Sequence, residues 1–148
     1  MIFKVLPVLL VLLSPLATSS GGPCRCRPVP ATETTRRGGN ETITVKIEKV
    51  HRALAGVVRL NDDEPFADTL VEVFKHVEDD RRKKPRRVDA CLTAEDGKYC
   101  FGFLPPGKYE VRVSRENGFN ITHLYVEVDP YSLDGTDDEI DVLLDLAH

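Results

Sequence analysis

Beyond its first twenty residues the chain has no continuously apolar stretch, which excludes a membrane-spanning helix from the rest of the sequence. No twelve-residue window carries apolar residues at helical spacing, so a helical domain is excluded as well. Net positive charge is also absent. Against 20 Lys and Arg stand 24 Asp and Glu, a formal charge of −4, whereas a phosphate backbone calls for a basic surface. Nucleic acid is therefore not expected as a partner. His51, His76 and His123 have no Glu three residues on, so the zinc-peptidase arrangement is missing and no metal or other cofactor is expected.

What is present begins with an export signal. Lys4 precedes the apolar run Val5 to Leu13, and small residues follow from Ala17 to Ser20. This predicts a signal peptide over residues 1–20 and a secreted or periplasmic protein, with no transmembrane span once the signal is removed. Residues 21–40 hold Pro23, Pro28, Pro30, a Thr run and a Gly pair, and read as a flexible tether. A single folded domain is expected over residues 41–148.

In that domain the hydrophobic period is two. Ile43, Val45 and Ile47 form one set; Leu54, Gly56, Val58 and Leu60 a second; Val71 and Val73 a third. Val88, Ala90 and Leu92, then Tyr99, Phe101 and Phe103, then Tyr109, Val111 and Val113 continue the pattern. Leu124, Val126 and Val128, followed by Ile140, Val142, Leu144 and Leu146, complete it. Turn residues separate the sets, among them Asp96-Gly97, Pro106-Gly107 and Asn117-Gly118. The expectation is an all-β, seven- to eight-stranded antiparallel sandwich.

A four-residue hairpin loop at Ala94 to Gly97, with Gly97 at positive φ, would set Leu92 against Tyr99 and Ala90 against Phe101. Cys91 would then face Cys100 on the other side, at a Cα separation of about 4.5 to 5.5 Å that suits a disulfide. This reading expects a Cys91–Cys100 bond and strained glycines at both Gly97 and Gly107. The pairing of Cys24 and Cys26 stays open.

Gly56, Pro65, Val71, Val73, Thr93, Gly97, Tyr99, Phe101, Leu104, Pro105, Pro106, Gly107 and Tyr109 together resemble the carboxypeptidase regulatory-like domain. The resemblance runs from about Leu54 to Val128. It implies a transthyretin-like (prealbumin-like, Ig-like) sandwich, with Gly97, Pro105, Pro106 and Gly107 as structural turns. Such domains are non-catalytic appendages of carboxypeptidases, surface proteins and outer-membrane receptors.

The residues bear on two related activities. Hydroxyisourate hydrolases end in Tyr-Arg-Gly-Ser, but this chain ends Asp145-Leu146-Ala147-His148. Intradiol dioxygenases need two His and two Tyr on iron, and no spacing singles out His51, His76, Tyr125 and Tyr131. No catalytic residues and no enzyme are expected, with a small secreted hydrolase as the alternative.

The strongest local charge signal is Arg81, Arg82, Lys83, Lys84, Arg86 and Arg87, expected to hold an unidentified protein or an anionic envelope or extracellular component. Docking to a larger envelope protein by a sheet edge is a further alternative. The acids at 134–141 match no calcium loop. Asn40 and Asn120 stand in glycosylation sequons.

Overall fold

The computed structural model describes residues 26–30, 41–60, 63–76, 84–116 and 118–146. The signal segment, the remainder of the tether, Arg81, Arg82, Lys83, Asn40 and His148 lie outside them. Among the described residues there is no helix and there are nine strands. These are β1 Arg27–Pro28, β2 Thr42–Lys46, β3 Ala55–Leu60, β4 Leu70–Lys75, β5 Arg86–Leu92, β6 Lys98–Cys100, β7 Gly107–Ser114, β8 Ile121–Val128 and β9 Val142–Leu144.

They form a sandwich of two sheets, ordered β1-β5-β4-β7-β8-β2 and β6-β3-β9. All eight strands read from the period-two pattern are present. The sheets are mixed, not wholly antiparallel as expected. β2 runs parallel to β8, and β9 parallel to β3.

The core lies between the sheets. Val71, Val73, Cys91, Tyr109, Val111, Val113, Leu124, Val126 and Val128 meet Leu54, Val58, Tyr99, Phe101, Ile140, Val142 and Leu144. Each fully buried side chain of this size contributes about 1.5 to 3 kcal/mol. A smaller cluster of Leu70, Ala90 and Leu92 lies on the far side of the large sheet, packed against Val29.

The tether reading fails at residues 26–30. Arg27 pairs with Leu92 and Pro28 with Cys91, Val29 N donates to the Ala90 carbonyl at 3.1 Å, and Cys26 is buried. Pro28 fits because β1 is an edge strand, where a missing N–H costs nothing in the ladder. Low overall hydrophobicity concealed two apolar side chains, Cys26 and Val29, placed where a sheet edge needs them.

The turn at Ala94 to Gly97 exists: Gly97 N donates to Ala94 O at 2.8 Å and Gly97 has φ +73°. Its arms, however, do not pair with each other. β5 is already flanked by β1 and β4, while β6 pairs with β3, Tyr99 opposite Gly56 and Cys100 opposite Ala55. The turn carries the chain from one sheet to the other. The expected Cys91–Cys100 bond is therefore not formed. Cys91 is a free thiol opposite Val71 in the core, Ala90 and Leu92 face away from it, and Val88 and Phe103 are exposed. Both registers satisfy the same alternation, so alternation could not choose between them.

Thr93 secures the crossover. Its hydroxyl donates to Phe66 O at 2.7 Å and accepts from Thr69 N at 3.0 Å. After the second turn, the Tyr109 hydroxyl donates to the Pro105 carbonyl, which explains the Leu-Pro-Pro-Gly-x-Tyr spacing. Gly107 is not strained: its φ is not positive, and an added Cβ would meet only the Tyr109 ring, at 3.8 Å.

The glycine that matters for close approach is Gly56. A Cβ there would lie 1.9 Å from the Ile140 carbonyl oxygen, the same atom that accepts the Tyr99 hydroxyl at 2.6 Å. Chemical denaturation should rank three variants. Gly56→Ala should cost about 3 kcal/mol or more by overpacking. Gly97→Ala should cost about 1 kcal/mol or more, since its φ is positive and Val58 O stands 2.6 Å from the new Cβ. Gly107→Ala should stay within about 0.5 kcal/mol of the parent. Equal losses at Gly56 and Gly107 would contradict this packing.

Candidate binding site on the outer face of the large sheet

The ladder that buries apolar residues on one face of the large sheet aligns polar ones on the other. Glu72 lies opposite Arg112, Arg112 opposite His123, and His123 opposite Thr44. One step along, Phe74 lies opposite Glu110, Glu110 opposite Tyr125, and Tyr125 opposite Lys46. Residues paired in this way share a face.

Two acids are buried in this outer layer. Glu72 is fully buried, and its Oε2 accepts from Arg87 Nη1 at 3.1 Å. Arg87 Nη2 also donates to the Pro30 carbonyl at 2.6 Å, so β1 and the segment after it hold the guanidinium in place. Glu110 Oε1 accepts from Arg112 Nε at 2.8 Å and lies 2.9 Å from His123 Nδ1. The Arg112 guanidinium covers the Phe74 ring at 4.2 Å.

Burial holds the His123 pKa below its ordinary 6.5, Glu110 pulls it up, and Arg112 pushes it down. The neutral ring then donates its Nδ1–H to Glu110.

At one end of this face lies a cavity of about 610 Å³, lined in part by Thr44, Lys46, Glu48, His76, Lys108 and Tyr125. The His76 and Tyr125 rings meet edge to face at 5.5 Å. His76 N donates to Lys108 O at 3.0 Å, which fixes the last residue of this row beside the start of β7. The connection between β4 and β5 leaves the sheet at this same end.

The expected site residues therefore separate. Lys84 and Arg86 are exposed at this end. Arg87, expected as a binding cation, is instead committed to Glu72 and Pro30. Pro105 and Pro106 are exposed in the turn before β7. Cys100 is disulfide-bonded, whereas Cys26 and Cys91 are free.

His51 is buried with Nδ1 3.2 Å from Asp138 O, and Tyr131 is exposed against the Phe103 ring. Of the four residues weighed for iron, only His76 and Tyr125 meet in a ring contact. Asn120 is buried, so its sequon offers no attachment point in the folded chain. Arg52 pins the acidic turn through Asp137 at 2.9 Å and the Ser132 and Leu133 carbonyls. Among the described residues, no three His, Cys, Asp or Glu side chains could hold a metal ion.

The outer row does not register in the core periodicity, which marks the inward positions alone. Its signal was the complementary period: Glu72, Phe74, His76; Lys108, Glu110, Arg112; His123, Tyr125, Glu127.

Two measurements check these assignments. Arg87→Ala removes the cation that meets the buried Glu72 carboxylate and should cost about 3 kcal/mol, whereas Arg86→Ala should change stability by less than about 0.5 kcal/mol. Second, His123 is harder to protonate folded than unfolded. Its stabilising effect is present above pH 6.5 and is lost as pH falls through that value toward the folded pKa. Stability should decline on acidification from about pH 6.5, before the carboxylates titrate, and His123→Gln should flatten that part of the profile. Superimposable profiles would contradict the assignment.

No family model matches the chain, and no curated protein matches it. Among solved structures it is similar to 3-chlorocatechol 1,2-dioxygenase from Rhodococcus opacus 1CP, at 12% sequence identity and a TM-score of 0.39. The likeness covers 82% of this chain and 71% of that one. At that level it bears on neither topology nor activity. No described helix is long and apolar enough to cross a membrane.

Proposed function

We propose that the chain is an exported, non-catalytic binding module of the carboxypeptidase regulatory-like kind, with transthyretin-like topology. Its ligand is an anionic envelope or extracellular component held at the cavity end of the large sheet. The observation that carries this reading is the convergence there of Lys46, His76 and Lys108 around the cavity, with Lys75, Lys84 and Arg86 exposed at the same sheet end. Glu48 and Glu127 also line the cavity, and Glu127 stands opposite Lys108. With Lys75, Lys84 and Arg86 counted, the cations at this end outnumber these two acids. The family resemblance gains support from Thr93, Gly97 and Tyr109, each of which makes a bond or a backbone angle that its motif position requires.

The Glu110–His123 pair favours a second reading, a small hydrolase, since a carboxylate that orients an imidazole makes it a better base. Thr44 is the hydroxyl opposite His123. Turnover of a panel of activated esters, lost in His123→Gln, would establish that reading in place of the first.

The test of the binding reading uses immobilised heparin as a polyanionic probe. The chain should be retained at low salt and released as salt rises, because exposed charges are screened. Lys46→Gln, Lys84→Gln and Arg86→Gln combined should weaken binding roughly tenfold, at about 0.5 kcal/mol per exposed contact. Thermal stability should be nearly unchanged. Unaltered retention of the triple variant would remove this end of the sheet from consideration and direct the search to a sheet edge.

A further inference from the structure

We propose that Cys26 and Cys91 form a disulfide that fastens the N-terminal segment to the large sheet. Pro28 lies opposite Cys91 in the β1–β5 ladder. Cys26, two residues earlier on the same edge, therefore shares the face of Cys91 and is its diagonal neighbour. Both side chains are buried in the main core, 8% and 3% exposed, and the two thiols hydrogen-bond to each other. Cys26 Sγ also donates to the Cys100 carbonyl at 3.1 Å. Cys26 thus lies among the buried core residues with Cys91 and within bonding distance of the Cys100 carbonyl. The expected Cys91–Cys100 pairing fails because β5 and β6 part into different sheets.

The order of the exchange follows from the hydrogen bond. Cys91 holds the Cys26 thiol down to about 6, against burial that pushes it up, while its own thiol is raised by the same bond and by burial. Cys26 is thus the attacking thiolate. It displaces one sulfur of an external disulfide, which leaves as a thiolate. Cys91 then loses its proton and attacks Cys26 Sγ in the mixed disulfide, releasing the second sulfur. Two electrons pass to the external disulfide, which ends as two thiols. Because both sulfurs are buried, exchange requires β1 to lift, which breaks its two ladder positions, the Val29–Ala90 and Arg87–Pro30 bonds and the contact of Cys26 with the Cys100 carbonyl. Once formed, the bond makes that docking permanent.

This inference does not depend on the anion-binding reading. Its test begins with the full chain in reduced form, equilibrated with oxidised glutathione, alkylated, and digested without reduction. A peptide pair linked through Cys26 and Cys91, lighter by two hydrogens than its reduced parts, is expected. In Cys91→Ser, Cys26 should be recovered alkylated or joined to glutathione. Complete alkylation of both Cys26 and Cys91 in the parent chain, or either one linked to Cys100, would overturn the proposal.

Discussion

Everything described here depends on the register of β4, β7 and β8. Because side chains alternate across a pleated strand, one alignment decides the core and the outer layer together. With Val71 opposite Val113 and Val111 opposite Leu124, the inner face is a continuous apolar surface for the smaller sheet. The same alignment brings Glu72, Arg112 and His123 into one row, and Glu110 and Tyr125 into the next. A slip of one residue would expose the valines and drive two carboxylates into the core. Burying an unpaired charge costs several kcal/mol, so the outer layer enforces the register as firmly as the core does.

The outer layer is unusual in being polar and buried at once. Glu72 is tolerated because Arg87 meets it, and Arg87 is held because the Pro30 carbonyl accepts its second nitrogen. The N-terminal segment is thereby coupled to the polar layer as well as to the core. Val29 covers Leu70, Ala90 and Leu92, while Cys26 reaches the main cluster from the other side of the same short strand. Five residues that resemble linker in composition close one edge of the sheet.

Strand positions were legible because alternation of apolar residues is a local property, and all eight expected segments form strands. Strand partners were not. Ala94 to Gly97 has the chemistry of a tight turn whether its arms pair or part. What separates the arms is β1, which occupies the edge of β5, and the call of β6 to the vacant side of β3 at Gly56. Both are long-range facts that no window of sequence contains. Gly56 itself stood in the motif, yet its reason, the Ile140 carbonyl, lies 84 positions away. The charge run was legible as exposed cations at Lys84 and Arg86 but not at Arg87, because a bulge between Val73 and Phe74 turns Arg87 toward the sheet. The site's polar rows were written in the sequence at period two, on the face that the search for a core passes over.

The most direct test of the register is a set of interstrand proton contacts measured by solution NMR on the full chain. The account predicts backbone contacts between Glu72 and Arg112 and between Arg112 and His123, together with parallel-strand contacts where Val45 faces Leu124. Contacts shifted by one residue, with Glu72 opposite Val111 or Val113, would contradict it, since the polar rows and the core would then exchange faces.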